Sequence, residues 1–302
     1  MKSLINRTAM AVLTLALAAC VEPGDARAPV TGPEVDETRQ LVFADEFNTG
    51  VLDRQKWNVV GMDFWVNFEE QAYLDSPDTI RFADDVEGAD GGALVLKPVY
   101  RPGVDTRADR NADFISGRIN SRDKVAFTHG RVEARIKLPP NEGVWPAFWL
   151  LGNGTWPDTG EIDIMEYVGE TDWTGVALHG PGYSGETPIV DKFFFPEGES
   201  ATDWHVYAIE WTTEAVLFEV DGRLTYRATR PMVENYGEWR FDTDKFLILN
   251  FALGGAYPFK TSQIKEPYVG VPQKTVDAIK AGEVAMYVDW VRVYAPLGEQ
   301  AE

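Results

Sequence analysis

From Leu41 onward the chain alternates apolar and polar residues in short runs broken by Gly, Pro, Asp and Asn. Examples are LVFADEF (41–47), GALVLKP (92–98), GRVEARIKL (130–138), EIDIMEYVG (161–169), AVLFEVDGRLTYR (215–227), FLILNFALGG (246–255) and AMYVDWVRVYA (285–295). Alternation of this kind marks half-buried strands. Asp221-Gly222 stands where a hairpin tip is needed. Helical periodicity is confined to PQKTVDAIKAG, with Pro272 near its start and Gly282 placed to end it. Many short strands with such turns predict an all-β sandwich of two antiparallel sheets. No repeat and no second domain is visible. Residues 256–283 are long for a loop between strands, and such loops more often serve function than not. This one is expected to overhang a groove.

The N-terminus follows another pattern. Lys2 and Arg7 precede an apolar run from Ala9 to Ala19, too short to span a membrane and read as a secretory signal over residues 1–19. It ends in LAAC, and Cys20 is the only cysteine. That ending resembles the lipobox of bacterial lipoproteins, in which the cysteine receives lipid. The alternative is an ordinary signal with a chance cysteine. Residues 20–39 are rich in Pro, Gly and charge and read as a flexible tether. The domain is expected over 40–298. A lipid anchor at Cys20 implies a cell-envelope location, and the remaining reading is secretion.

Composition narrows the chemistry. A lone cysteine excludes an intrachain disulfide and a cysteine metal site. The three histidines, at 129, 179 and 205, have no zinc spacing. A formal net charge of −20 among 302 residues repels nucleic acid and anionic headgroups. Nothing in the pattern calls for a second copy, and a monomer is expected. Ten tryptophans exceed what packing needs, and an indole offers an apolar face for binding.

The informative stretch is TGEIDIMEYVG (159–169). On a regular strand Glu161 and Asp163 share a face, and the next acid on it would be residue 165, which is Met. Either Glu166 faces away, or the strand carries an extra residue near Ile164 and Met165 that turns it back. In the second case three carboxylates line one face. They resist simultaneous ionisation, which suits a glycosidase needing one ionised and one protonated acid. Two Glu side chains leaning together would approach the ~5–5.5 Å separation of a retaining enzyme. The alternatives are a solvated acidic face and a calcium site. Upstream, Trp145, Ala147 and Trp149 share one strand face, with Phe148 and Leu150 on the other. The two Trp either stack on sugar rings or pack in the core. His179, at the head of the loop HGPGYSG (179–185), either donates a hydrogen bond to a sugar or leaving group or braces its loop.

GEIDIMEYVG, GRVEARIKLP, WPAFWLLG, HGPGYSG and VDWVRVY together resemble glycoside hydrolase family 16, and most of all its laminarinase-like branch of endo-β-1,3-glucanases, from about Leu41 to Pro296. The resemblance implies a β-jelly roll with a concave substrate cleft and a retaining mechanism on β-1,3-glucan. It implies Glu161 as nucleophile, Glu166 as general acid/base and Asp163 as the assisting carboxylate, with the inserted Met making the bulge. NFEEQAY (67–73) and SGRINS (116–121) match stretches that put Asn67, Glu69 and Arg118 on the glycone side. Trp145 and Trp149 match cleft aromatics. Catalysis needs no cofactor. A structural Ca²⁺ on the convex side is implied, held by the main-chain oxygens of Glu46 and Gly92 and the Asp289 carboxylate. Phe68 and Ala72 depart from the family, which more often has Asn and Tyr there. Other substrates on the same fold are mixed-linkage glucan and galactan, with transglycosylation or simple glucan binding as further readings.

Overall fold

The computed structural model describes residues 39–106 and 110–296. The signal sequence, Cys20 and residues 20–38 of the tether lie outside the described residues.

The strands run in chain order as β1 (Leu41–Asp45), β2 (Asn58–Val59), β3 (Gln71–Tyr73), β4 (Ile80–Ala83), β5 (Ala93–Leu96), β6 (Val99–Thr106), β7 (Arg110–Ser116), β8 (Arg118–Asn120) and β9 (Gly130–Lys137). They continue as β10 (Val144–Gly152), β11 (Glu161–Glu166), β12 (Trp173–His179), β13 (Ile189–Phe194), β14 (Trp204–Trp211), β15 (Ala215–Val220), β16 (Arg223–Thr229), β17 (Lys245–Leu253) and β18 (Met286–Tyr294). Among the described residues three short helices interrupt them: α1 (Arg230–Val233), α2 (Ala256–Ser262) and α3 (Gln273–Ala281).

Two antiparallel sheets make the predicted β-jelly-roll sandwich. One is ordered β16-β15-β14-β9-β18-β5-β4, with β1 also on β18; the other is ordered β13-β12-β11-β10-β17-β8-β2. Their facing sides close the core. Phe148, Leu150, Ile162, Met165 and Leu178 from one sheet meet Val132, Ile136, Ile209, Val288 and Val291 from the other, all fully buried. Each such side chain contributes roughly 1.5–3 kcal/mol on burial. Strand β17 is buried at every position, because its outer face is roofed by the furniture of the cleft.

The Asp221-Gly222 hairpin forms as expected, with both residues at positive φ (51° and 72°), as a type I′ tip requires. Helix α3 ends at Gly282 in the left-handed conformation (φ 79°). The long 256–283 segment differs from expectation in carrying a second helix, α2. A third small sheet also departs from the two-sheet expectation: β3 runs parallel to β7, which pairs with β6. The physical reason lies in the amides flanking β3. Glu70 donates to Leu253 O (2.8 Å) and Leu74 to Ser116 O (3.0 Å), which stitches the segment between two strands.

One buried cation holds the entry to β11. Lys245 is fully buried, and its Nζ donates to Thr159 O (2.8 Å), Arg240 O (2.9 Å) and Thr243 O (3.2 Å). It thus pins the residues just before Glu161 to the start of β17. Lys245→Met would leave three carbonyls without their donor. The expected cost is on the order of 2–4 kcal/mol, read as a lower urea midpoint at pH 7. A midpoint equal to wild type would show that these carbonyls find other partners.

Candidate active site

The spacing question is settled by the strand register. Asp163 pairs with Trp149 on β10 and Ala177 on β12, whereas Glu166 pairs with Ala147 and Gly175. Two residues on each neighbour therefore face three on β11. The extra residue lies at Ile164-Met165, both buried (2% and 0% exposed), and Glu166 returns to the face of Glu161 and Asp163. The strand is bulged.

Cross-strand pairs share a face, so the register maps the concave side. It carries Trp145, Ala147 and Trp149 on β10, the three acids on β11, Gly175, Ala177 and His179 on β12, and Asn250 on β17 beside Arg118 on β8. His179 is the last residue of β12, directly opposite Glu161, so the loop position expected for it is corrected to a strand end. Its Nε2 lies 3.3 Å from Asp163 Oδ2 and 3.6 Å from Glu161 Oε1.

Each outer acid has an indole donor. Trp145 Nε1 donates to Glu166 Oε1 (2.9 Å), and Trp156 Nε1 to Glu161 Oε2 (3.0 Å). Trp145 and Trp149 lie on the face that carries the acids, and neither is a bare stacking plate. Trp145 is spoken for at its N–H and meets the Tyr257 ring edge-on at 5.6 Å. Trp149 donates to Asn250 Oδ1 (2.7 Å) and lies against the Arg118 guanidinium, 4.8 Å from the ring centre. Two residues that sequence reasoning missed belong here, Trp156 and Tyr257. Trp156 lies five residues before Glu161, and that adjacency was the available signal. Tyr257 opens α2, so the 256–283 segment does reach the groove.

Asn67, Glu69 and Arg118 form an adjoining network. Glu69 is 5% exposed; it accepts from Gln71 Nε2 (2.6 Å), Tyr73 OH (3.4 Å) and Asn67 Nδ2 (3.5 Å). Asn250 Nδ2 in turn donates to Tyr73 OH (3.2 Å). Arg118 is buried over the Phe64 ring (4.1 Å). Burial lowers its pKa, opposed by the charges of Tyr73, Glu69 and Glu161.

Burial dominates the acids. It pushes Glu161 up to about 8, with the Asp163 charge adding to the rise and His179 opposing it. It carries Asp163 well above the carboxylate range, helped by Glu166. It raises Glu166 too, against the Trp145 hydrogen bond and His179. Three carboxyls in one file cannot all ionise, so the cluster retains a proton near neutral pH and titrates as a unit. Glu161, Asp163 and His179 also place one ligand atom each within 4.8 Å of one another. A divalent cation bound there would compete with that proton.

Glu46, Gly92 and Asp289 lie apart from the acids, where β1 and β18 of the other sheet end and bend. The segments do converge: a Cβ on Gly92 would stand 3.0 Å from Phe47 O and 3.2 Å from Asn48 Cα. Asp289 Oδ1 accepts from the Asp90 amide (3.0 Å) and Oδ2 pairs with Arg135. A carboxylate has about four acceptor positions, so capacity remains for a hard cation. The oxygen-only donor set fits calcium, with Arg135 competing for the same charge.

The model of "Glycosyl hydrolases family 16" matches residues 91–252, which include all three acids. A second model, "Beta-glucan synthesis-associated protein SKN1/KRE6/Sbg1", matches residues 3–160 and stops before them. The chain is 34% identical to a beta-glucanase of Rhodothermus marinus, over 84% of this chain and 85% of that protein. It is 32% identical to the glucan endo-1,3-beta-glucosidase A1 of Niallia circulans, over 84% of this chain and 37% of the relative. Among solved structures it resembles the laminarinase catalytic domain of Thermotoga maritima, with a TM-score of 0.72 and 34% identity, covering 86% of this chain and 99% of that one. A bulged strand that brings three acids together, on a jelly roll with these relatives, places the chain in glycosyl hydrolase family 16, as an endo-β-1,3-glucanase-like glycoside hydrolase.

Proposed function

We propose that the chain is a retaining endo-glycosidase that cleaves laminarin-type β-1,3-glucan, held at the cell envelope through a lipid on Cys20. The observation that carries the chemistry is the bulge: it puts Glu161 and Glu166 on one face, each fixed by an indole N–H, with Asp163 between them.

In this reading Glu161 attacks the anomeric carbon while Glu166 gives its proton to the departing glycosidic oxygen. The C–O bond to the leaving chain breaks as the glycosyl ester to Glu161 forms. Glu166, now ionised, takes a proton from water, and the hydroxide oxygen displaces Glu161 from the anomeric carbon. Two inversions return the β configuration. Asp163, with His179 3.3 Å away, helps keep the two titrations apart, because one proton must stay on Glu166 while Glu161 is charged. A glycone-side role for Asn67, Glu69 and Arg118 is supported by Arg118, which interacts with Glu161 and with Glu69, the acceptor of the Asn67 amide. The convex-side calcium belongs to this reading as a structural ion held by Glu46 O, Gly92 O and Asp289, with no part in bond cleavage.

Three outcomes test the reading. Reducing-sugar release from laminarin, curdlan, lichenan, agarose and carrageenan is expected on laminarin, and to fall about 10³-fold or more in Glu161→Gln and Glu166→Gln. With azide, Glu161→Gly is expected to yield an α-glycosyl azide and Glu166→Gly a β-glycosyl azide. The reverse pairing would exchange the two roles, and inversion without an intermediate would end the mechanism.

The second outcome concerns pH. A folded-state carboxyl pKa above the unfolded value means the native protein holds a proton that the unfolded chain releases. Stability therefore falls as pH rises from the ordinary Glu range near 4.5 to about 8. Glu161→Gln removes one such titration. Relative to wild type the variant is expected to gain stability with rising pH, by roughly 1–3 kcal/mol between pH 4.5 and 8. A pH-independent difference would show that the acid cluster, of which Glu161 is one member, does not retain a shared proton in that window.

The third concerns the ion. Chelator-treated protein is expected to gain about 5 °C in Tm when Ca²⁺ is returned in large excess. Asp289→Asn should abolish that response while kcat is unchanged.

A further inference from the structure

We propose that Trp65 and Phe68 form an aromatic platform that binds one glucosyl unit of a bound glucan, beyond the units held at the acids and at the rim beside Glu69. The inference rests on the glucanase reading above and extends its cleft.

The turn from Phe64 to Glu69 sorts its aromatic rings by direction. Phe64 goes inward under Arg118. Trp65 and Phe68 go outward, 37% and 72% exposed. Phe68 is the most exposed large apolar side chain among the described residues. Its backbone is costly as well. Asn67 and Phe68 both adopt the left-handed conformation (φ 56° and 57°), uncommon for a bulky residue and worth on the order of 1 kcal/mol of strain. A chain that spends such strain to hold a phenyl ring in water gains little burial from that ring. Strain of this kind gathers at ligand clamps.

The turn is also rigid. Glu69 N donates to Val66 O (3.1 Å), and Ala256 N donates to Asn67 O (2.8 Å). Trp65 Nε1 donates to Glu69 O (2.8 Å). The Arg110 guanidinium covers one face of Trp65, 4.9 Å from its centre, and Phe68 stands against Trp65 at 6.0 Å and 87°. Two rings fixed at right angles present a corner, not a loose patch.

Its place is the rim of the cleft. Glu69, the next residue, interacts with Arg118, and Arg118 with Glu161. On the other side Ala256 leads into Tyr257, whose ring meets Trp145, the donor to Glu166. A chain lying across the acids therefore passes this corner at the Glu69 end. A β-glucosyl ring carries its hydroxyls equatorially and offers flat C–H faces, which suit an aromatic plate. A platform at the rim affects how long chains are held and leaves the chemistry at the acids unchanged.

The test compares wild type, Phe68→Asn and Phe68→Trp on polymeric laminarin and on a β-1,3-gluco-oligosaccharide just long enough to be cleaved. Asn tolerates the left-handed backbone, so its Tm is expected to equal or exceed wild type. For the polymer, KM in Phe68→Asn is expected to rise about tenfold, equivalent to ~1.4 kcal/mol, with kcat within about twofold. The short substrate should be unaffected, and Phe68→Trp should restore KM on the polymer. Equal losses on both substrates, or none on either, would overturn the proposal. If wild type cleaves a different polysaccharide, the substrate reading fails, and the same long-against-short comparison on that polymer still decides the platform.

Discussion

The site depends on one residue too many. Strand β11 lies between β10 and β12, and both neighbours keep regular two-residue spacing where β11 takes three. Without the extra residue, the pleat would send Glu166 into the apolar core and bring Met165 out into the cleft. The core would then have to hold a carboxylate where Met165 now packs with no exposure, at a cost of several kcal/mol. The bulge is thus stabilised from beneath by Ile164 and Met165, both of which want burial. Hydrophobic packing on one side of the sheet places charge on the other.

Once the acids are gathered, the remaining architecture manages their repulsion. Each outer carboxylate receives an N–H from a tryptophan on a different element, Trp145 within β10 and Trp156 in the turn after it. Those donors favour ionisation, while burial opposes it. The balance differs between the two ends of the file, since Glu161 also has His179 and the Arg118 field nearby and Glu166 has His179 and the Trp145 bond. Lys245 acts one layer back, tying Thr159 and Arg240 so that the turn bearing Trp156 stays in reach of Glu161.

Much of this was legible in the chain. Spacing alone demanded either a bulge or a stranded Glu166, and alternation alone put Trp145 and Trp149 on one face and Phe148 and Leu150 on the other. Local signals also marked the Asp221-Gly222 tip and the end of α3. What escaped was register over long separations. His179 faces Glu161 from eighteen positions along the chain, and a sequence carries no ruler for that pairing. The parallel entry of β3 beside β7 and the approach of Tyr257 to Trp145 are of the same kind. The hydrogen-bonding ends of Trp145 and Trp156 were invisible for a second reason: periodicity tells which face a side chain takes, not which atom it turns toward a neighbour.

The register also makes the cleft asymmetric. Glu161 is hemmed by His179 across the strand and by Trp156. Glu166 has Ala147 on one side and Gly175 on the other, the two smallest side chains available. A Cβ on Gly175 would stand 3.2 Å from the Tyr257 hydroxyl, so any larger residue would close the space between β12 and α2. Beyond Gly175 the same face continues to Lys192, whose ammonium sits over the Trp173 ring at 3.5 Å. Glu166 is thus covered by Trp145 and Tyr257 above its small neighbours, and Glu161 by Trp156 and His179. The small residues beside Glu166 are what admit Tyr257 to its end of the file, so a different element closes the bulged strand at each end.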